Sequence, residues 1–139
     1  MEKEYPYTQE RNGDKTELRP YIDVELIHGE KRRTYTDALV DSGAESTLIN
    51  LPIATRLGIN LEDCLPVPVS GAGGIGNKGY ETTIRLNIVD FKYEYPTKVI
   101  FTPIPATIIL GADFFDRFRI YFERDQKIFW VTAVPSLKF

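Results

Sequence analysis

Ala38-Leu39-Val40-Asp41-Ser42-Gly43-Ala44 is the stretch on which the reading of this chain turns. Three apolar residues carry the backbone to a carboxylate, and Ser42 and Gly43 follow it. An acid that emerges from a buried strand into a turn is costly to ionise. Gly43 removes a side chain where the backbone must bend or approach something closely, and Ser42 adds a hydroxyl that can tie the bend down. The tripeptide alone is as well explained by a plain turn or a helix cap. The surrounding pattern has to decide.

On the amino side, Tyr21-Ile22-Asp23-Val24-Glu25-Leu26 alternates apolar and charged residues, the period of a half-buried strand. His28-Gly29-Glu30 supplies a turn, and Arg33 to Val40 reads as the returning strand. The basic cluster Lys31-Arg32-Arg33 on that turn is a solvated hairpin tip rather than a phosphate site. On the carboxyl side, Leu48-Ile49 resumes the apolar segment. Pro52 to Leu57 then predicts a short helix, with proline in its first turn and Gly58 to end it. Pro66-Val67-Pro68-Val69 is extended, because a residue before proline is pushed away from helix.

Gly71 to Gly79 holds five of the ten glycines, as either a linker or a hairpin tip. Strand signals on both sides favour the tip. Ile84, Leu86 and Ile88 alternate with Arg85 and Asn87, and Lys98 to Thr102 and Thr107 to Leu110 are β-branched and apolar. Ala112 to Phe118 predicts a helix that buries Phe114, Phe115 and Phe118 on one stripe. Arg119 to Glu123 and Lys127 to Thr132 predict a last hairpin about Asp125-Gln126. Residues 1–19 are polar without sustained periodicity and read as a flexible amino-terminal leader, leaving residues 20–139 as the domain. With about eight or nine strands, two short helices and no βαβ alternation, the expected class is all-β, a closed barrel or sandwich.

Composition narrows the chemistry. The chain has 139 residues, 42% of them hydrophobic, enough for one domain with its own core. Lys and Arg total 17 against 20 Asp and Glu, a formal net charge of −3, which gives no electrostatic reason to expect nucleic acid. One Cys (Cys64) and one His (His28) can build neither a disulfide framework nor a four-ligand His/Cys metal site. No apolar run approaches the roughly 20 residues of a membrane span, and Met1-Glu2-Lys3-Glu4-Tyr5 lacks a secretory signal. A cytoplasmic domain without metal, cofactor or membrane is the expectation.

Two further segments support the Asp41 stretch. Val40 to Ile49 leads into the short helix ending at Leu57-Gly58, and Thr107-Ile108-Ile109-Leu110-Gly111-Ala112-Asp113 follows beyond the glycine-rich run. These ordered motifs, over residues 21–134, resemble the retropepsin-like aspartic proteases of retroviruses, retrotransposons and their cellular relatives. The resemblance implies a barrel that is half of a pepsin-like bilobal fold, and a peptide hydrolase. It makes Asp41 the catalytic acid and Ser42, Gly43 and Ala44 its supporting loop. Gly73, Gly74, Ile75 and Gly76 become a flap over the substrate, and Ile109, Leu110 and Gly111, leading to Asp113, become the structural motif under the loop. Leu39, Ile75, Val99 and Ile108 are the pocket lining this pattern suggests.

Peptide hydrolysis by carboxyls needs one group to take a proton from water and another to give one to the carbonyl oxygen. Two neighbouring carboxyls cannot both ionise cheaply, so they share one proton. The chain has one Asp-Ser-Gly motif, and Asp113 falls in the first turn of the Phe-rich helix, where it suits the helix dipole better than catalysis. The expected partners are therefore a second copy of the chain, in a twofold homodimer, and a polypeptide substrate. Ala44 offers the acid no hydroxyl, and with it comes an expected optimum between mildly acidic and neutral pH. The competing reading keeps the fold as a catalytically weak or inactive dimerisation or peptide-binding module; a weaker one has the leader cut off by the enzyme itself. A Cys64–His28 nucleophile pair has nothing nearby to activate it. Trp130, in the last strand pattern, reads as core or interface. Gly-Lys-Ser/Thr is absent and strand follows the glycines, which disfavours a nucleotide site.

Overall fold

The computed structural model describes residues 1–70 and 77–135, and the polar amino-terminal stretch is folded in it. The elements run β1 (Glu2–Pro6), β2 (Thr8–Asn12), β3 (Lys15–Arg19), β4 (Tyr21–His28), β5 (Lys31–Val40) and β6 (Thr47–Asn50), then helix α1 (Pro52–Arg56). There follow β7 (Leu65–Val69), β8 (Asn77–Ile88), β9 (Tyr93–Thr102), β10 (Ile108–Leu110), helix α2 (Ala112–Phe115), β11 (Phe118–Glu123) and β12 (Ile128–Ala133).

Local chemistry sets most of these boundaries. Gly29, at φ +59°, takes the left-handed turn between β4 and β5. Pro52 opens α1 and Gly58, at φ +69°, ends it. In β8, Ile84, Leu86 and Ile88 face inward while Arg85 is exposed, the period-two pattern of a sheet with one wet face.

The main sheet runs β4-β5-β10-β6-β9-β8, and β8 returns to β4, closing a barrel of six strands with β7 attached to β8 outside the ring. β10 is the wedge, parallel to β5 and antiparallel to β6. Val24, Leu26, Leu86, Ile88, Phe101 and Leu110 are fully buried inside. At roughly 1.5–3 kcal/mol for each large apolar side chain buried, this interior dominates the stability of the fold. A second sheet, β1-β12-β11, packs aromatic residues against the barrel end: Phe118 meets Phe91 and Tyr93, and Phe114 stacks on Phe118 at 4.9 Å.

Two expectations change here. Residues 1–19 are not a mobile leader: β1 pairs with β12 from Glu2↔Thr132 to Pro6↔Ile128, and β2 and β3 form a hairpin around Gly13. Tyr5 stacks on Phe129 and Tyr7 is buried in the core. Cutting this segment away would uncover that core. The helix predicted over Ala112–Phe118 stops after Phe115, because Phe118 pairs with Ala133 and the Arg117 carbonyl accepts from the Val134 amide at 2.8 Å. Phe114 and Phe118 are buried as expected, while Phe115 is only half-buried. Among the described residues no helix is long and apolar enough to cross a membrane.

Candidate active site

β5 delivers Asp41 to the surface directly above the buried Val40. The loop beyond is pinned from several sides. The Asp41 amide donates to the Leu110 carbonyl at 3.4 Å, and the Ala44 amide closes the turn onto the Asp41 carbonyl at 3.2 Å. The Gly43 amide donates to Asp41 Oδ1 at 2.9 Å. A backbone N–H on one carboxylate oxygen fixes the direction of the group. Ser42 is exposed.

Ile108, Ile109 and Leu110 run parallel to Ala38, Leu39 and Val40, residue for residue. Gly111 then passes against the loop, its amide donating to Thr47 Oγ1 at 3.2 Å. A Cβ at this position would stand 2.5 Å from the Ser46 carbonyl oxygen and 2.9 Å from the Ser46 nitrogen, which is why the position is glycine. Asp113 takes no place beside Asp41. It accepts a short hydrogen bond from the buried Thr97 hydroxyl and pairs with Arg117 at 3.7 Å, so it fastens α2 to β9.

Asp41 opens into a cavity of about 550 Å³, walled by Ala44, Leu48, Val69, Ile100 and Ile109 among others. Val69 ends β7 and pairs with Asn77 at the start of β8. The strands flanking the glycine-rich run are thus antiparallel neighbours at the cavity rim. The flap residues Gly73, Gly74, Ile75 and Gly76 lie outside the described residues. Glu45, also on the cavity wall, is exposed and makes no hydrogen bond or ion pair among the described residues. No neighbour fixes its position.

The pocket lining needs correction. Val99 and Ile108 are fully buried in the barrel, and their chain neighbours Ile100 and Ile109 face the cavity instead. Successive residues in a strand point to opposite faces, so an error of one position exchanges core for site. Leu48 and Ile100 were missed. Leu48 lies in the four-residue β6, where alternation is invisible, whereas Ile100 continues the outward-facing series Glu94, Pro96 and Lys98 of β9, a signal the sequence carried. Leu39 lines a separate, adjoining cavity.

Cys64 and His28 do not form a pair. The buried Cys64 thiol donates to the Asn60 carbonyl at 3.6 Å, and burial pushes its pKa up, away from the reactive thiolate. His28 Nδ1 lies 3.1 Å from the Leu57 carbonyl. Trp130 is half-buried in β12, with its indole N–H donating to Glu123 at 2.6 Å. Among the described residues no group of three or more His, Cys, Asp or Glu is placed to hold a metal ion.

The same fold occurs in known proteins. A retropepsin-like aspartic protease from Rickettsia conorii superposes with a TM-score of 0.63 at 18% identity, covering 94% of this chain and 91% of the other. The retroviral protease-like domain of Ddi1 from Leishmania major gives 0.54 at 17% identity, covering 84% and 94%. The EIAV protease, solved with the inhibitor HBY-793, gives 0.50 at 21% identity, covering 77% and 91%. At these identities the structures share the fold. No curated protein is similar enough in sequence to count as a match. The model of the gag-polyprotein putative aspartyl protease family, however, matches residues 27–117, which include the acid, its loop and the Ile109-Leu110-Gly111 motif. On that match, which spans more than half of its length, the chain belongs to the gag-polyprotein putative aspartyl protease family and carries the retropepsin fold.

Proposed function

We propose that the chain is an aspartic endopeptidase that acts as a homodimer, with Asp41 of each subunit forming the catalytic dyad. The observation that carries this reading is Asp41 itself. It sits at the mouth of a 550 Å³ cavity, oriented by the Gly43 amide, on a loop locked by Gly111, with no second carboxyl held beside it among the described residues. Asp113 is committed to Thr97 and Arg117, and Glu45 has no neighbour to hold it at a working distance. A twofold axis through the Ser42 loops would supply the missing acid, with each Ser42 hydroxyl bonding the partner loop and setting the spacing.

In such a pair the two carboxyls share one proton and titrate together. The ionised one takes a proton from the water between them as the water oxygen attacks the peptide carbon. The protonated one gives its proton to the carbonyl oxygen. The tetrahedral intermediate then collapses, a proton returns to the leaving nitrogen, and the C–N bond breaks. Substrate would lie extended across both loops, with Gly73, Gly74, Ile75 and Gly76 closing over it. The test is digestion of a mixed peptide library by the wild-type chain and by Asp41→Asn. Cleavage that disappears in the variant supports the reading. Equal traces in both would leave a peptide-binding module instead.

A further inference from the structure

A second cavity, about 490 Å³, adjoins the catalytic one, and Ile109 lines both. Its apolar side is Leu39, Ile104, Ala106 and Ile109, and its polar side is Asp37 with Glu10 and Arg19 of the β2–β3 hairpin. Those hairpin residues precede residues 27–117, the stretch the family model matches, whereas Asp37 lies within it.

The wall is held in place. The Tyr21 hydroxyl donates to Glu10 at 2.8 Å, and Arg19 stands 3.5 Å from Glu10 and closer still to Glu17. Burial and the Glu10 carboxylate push the Tyr21 hydroxyl up to about 12, which keeps it a donor at neutral pH. Asp37 reaches the cavity through a β-bulge. Ile22 pairs with Ala38 and Val24 with Tyr35, so Thr36 and Asp37 together oppose the single residue Asp23. Bulges of this kind bend a strand and re-aim a side chain. Asp37 accepts from the Thr107 hydroxyl at 2.5 Å and has no cationic partner among the described residues. Arg19, the one cation on the wall among the described residues, already serves two carboxylates.

We propose that this cavity is a substrate subsite selecting a Lys or Arg side chain, whose aliphatic stem lies over Leu39, Ile104 and Ala106 and whose cation meets Asp37. The proposal rests on the endopeptidase reading for its place in the groove. An extended peptide puts same-face side chains roughly 7 Å apart, so the basic residue would sit two positions from the one in the catalytic cavity. An apolar stem with a charged head fits a site that is apolar on one side and carries an unneutralised carboxylate on the other.

The test is a mixed peptide library digested by the full-length wild-type chain, with cut sites read by mass spectrometry. Lys and Arg should be enriched about tenfold at one position within four residues of the cut, the size of effect expected of one charge-assisted contact. Asp37→Asn keeps an acceptor for Thr107 and should bring that enrichment close to one. Ala106→Lys, which leaves the Asp37 hydrogen bond alone, should do the same by repulsion, and serves if Asp37→Asn does not fold. No basic preference in the wild type, or a preference unchanged in both variants, overturns the subsite. A wild-type chain that cuts nothing is a failure of the hydrolytic reading alone. Retention of the library on immobilised Asp41→Asn protein then decides the subsite: selective retention of basic peptides, abolished by adding Asp37→Asn or Ala106→Lys, upholds it, and unselective retention or none sinks it.

Discussion

Asp41 and Asp113 lie just past the ends of the paired strands β5 and β10, yet their surroundings give them opposite duties. Asp41 is offered one amide, from Gly43, and otherwise faces the cavity. Asp113 is tied to Thr97 and to Arg117, whose guanidinium lies 4.4 Å from the centre of the Tyr95 ring. Asp41→Asn should therefore change unfolding free energy by no more than about 0.5 kcal/mol while lowering peptidase activity at least about a thousandfold. Asp113→Asn should cost about 1–3 kcal/mol, since it weakens a hydrogen bond to a buried hydroxyl and removes an ion pair. Urea denaturation beside a peptidase assay reads both, and the two effects must not exchange. Gly111→Ala tests the support beneath the loop. Its new methyl group would press on the Ser46 backbone, which cannot swing aside as a side-chain tip could. A loss of about 1–3 kcal/mol is expected, with activity falling further than the folded fraction because Ser46 belongs to the loop that carries Asp41.

At the scale of elements, the Tyr5 hydroxyl fastens β1 to the barrel by donating to Asp90 at 2.8 Å. Burial raises the pKa of nearby Asp23, and the negative charge of Asp90 raises it further. A carboxyl whose folded pKa exceeds its ordinary 3.8 gives stability that is complete below that value and lost as pH rises through the raised one. Asp23→Asn should therefore stabilise the chain at pH 7, by less than about 1 kcal/mol for a partly solvated group, and the gain should vanish as pH falls toward 4. Thermal unfolding across that range checks the sign. β1 also marks where sequence reading stops. Period-two alternation, Pro52 and Gly58, and the paired Asp41 and Gly111 motifs are local signals, and they located the barrel strands, the short helix and the candidate acid. β1 has only Tyr5 as a large apolar side chain turned inward, and its partner β12 lies at the far end of the chain. β2 is exposed throughout and owes its form to pairing with β3. Ile108-Ile109 belong to a three-residue strand that is apolar on both faces, so only the three-dimensional pairing tells which of them lines the cavity, whereas in Val99-Ile100 the preceding alternation of Glu94, Pro96 and Lys98 with Tyr95 and Thr97 already separates the two faces.

For the whole molecule the decisive quantity is stoichiometry. Six strands close on themselves around a core of their own, so one copy is a complete folding unit. On the proposed reading it is an incomplete catalyst, because Asp41 is the one carboxyl on its cavity wall that a hydrogen bond orients among the described residues. A mixing experiment separates folding from catalysis. Wild-type chain and Asp41→Asn chain fold alike, so on mixing and re-equilibration they should assort at random into wild-type pairs, mixed pairs and variant pairs. A mixed pair holds a single Asp41 carboxyl and cannot both accept and donate a proton across the water. At equal amounts and constant total protein, activity should fall to about one quarter of the unmixed wild type, whereas a monomeric catalyst, or one whose second acid lies in the same chain, would retain about one half. Activity per chain should also rise with concentration below the dimer dissociation constant and level off above it, in step with the dimer fraction measured by sedimentation. A mixing curve linear in the wild-type fraction would put every group the reaction needs in a single chain, and the dyad of two Asp41 carboxyls would have to be abandoned.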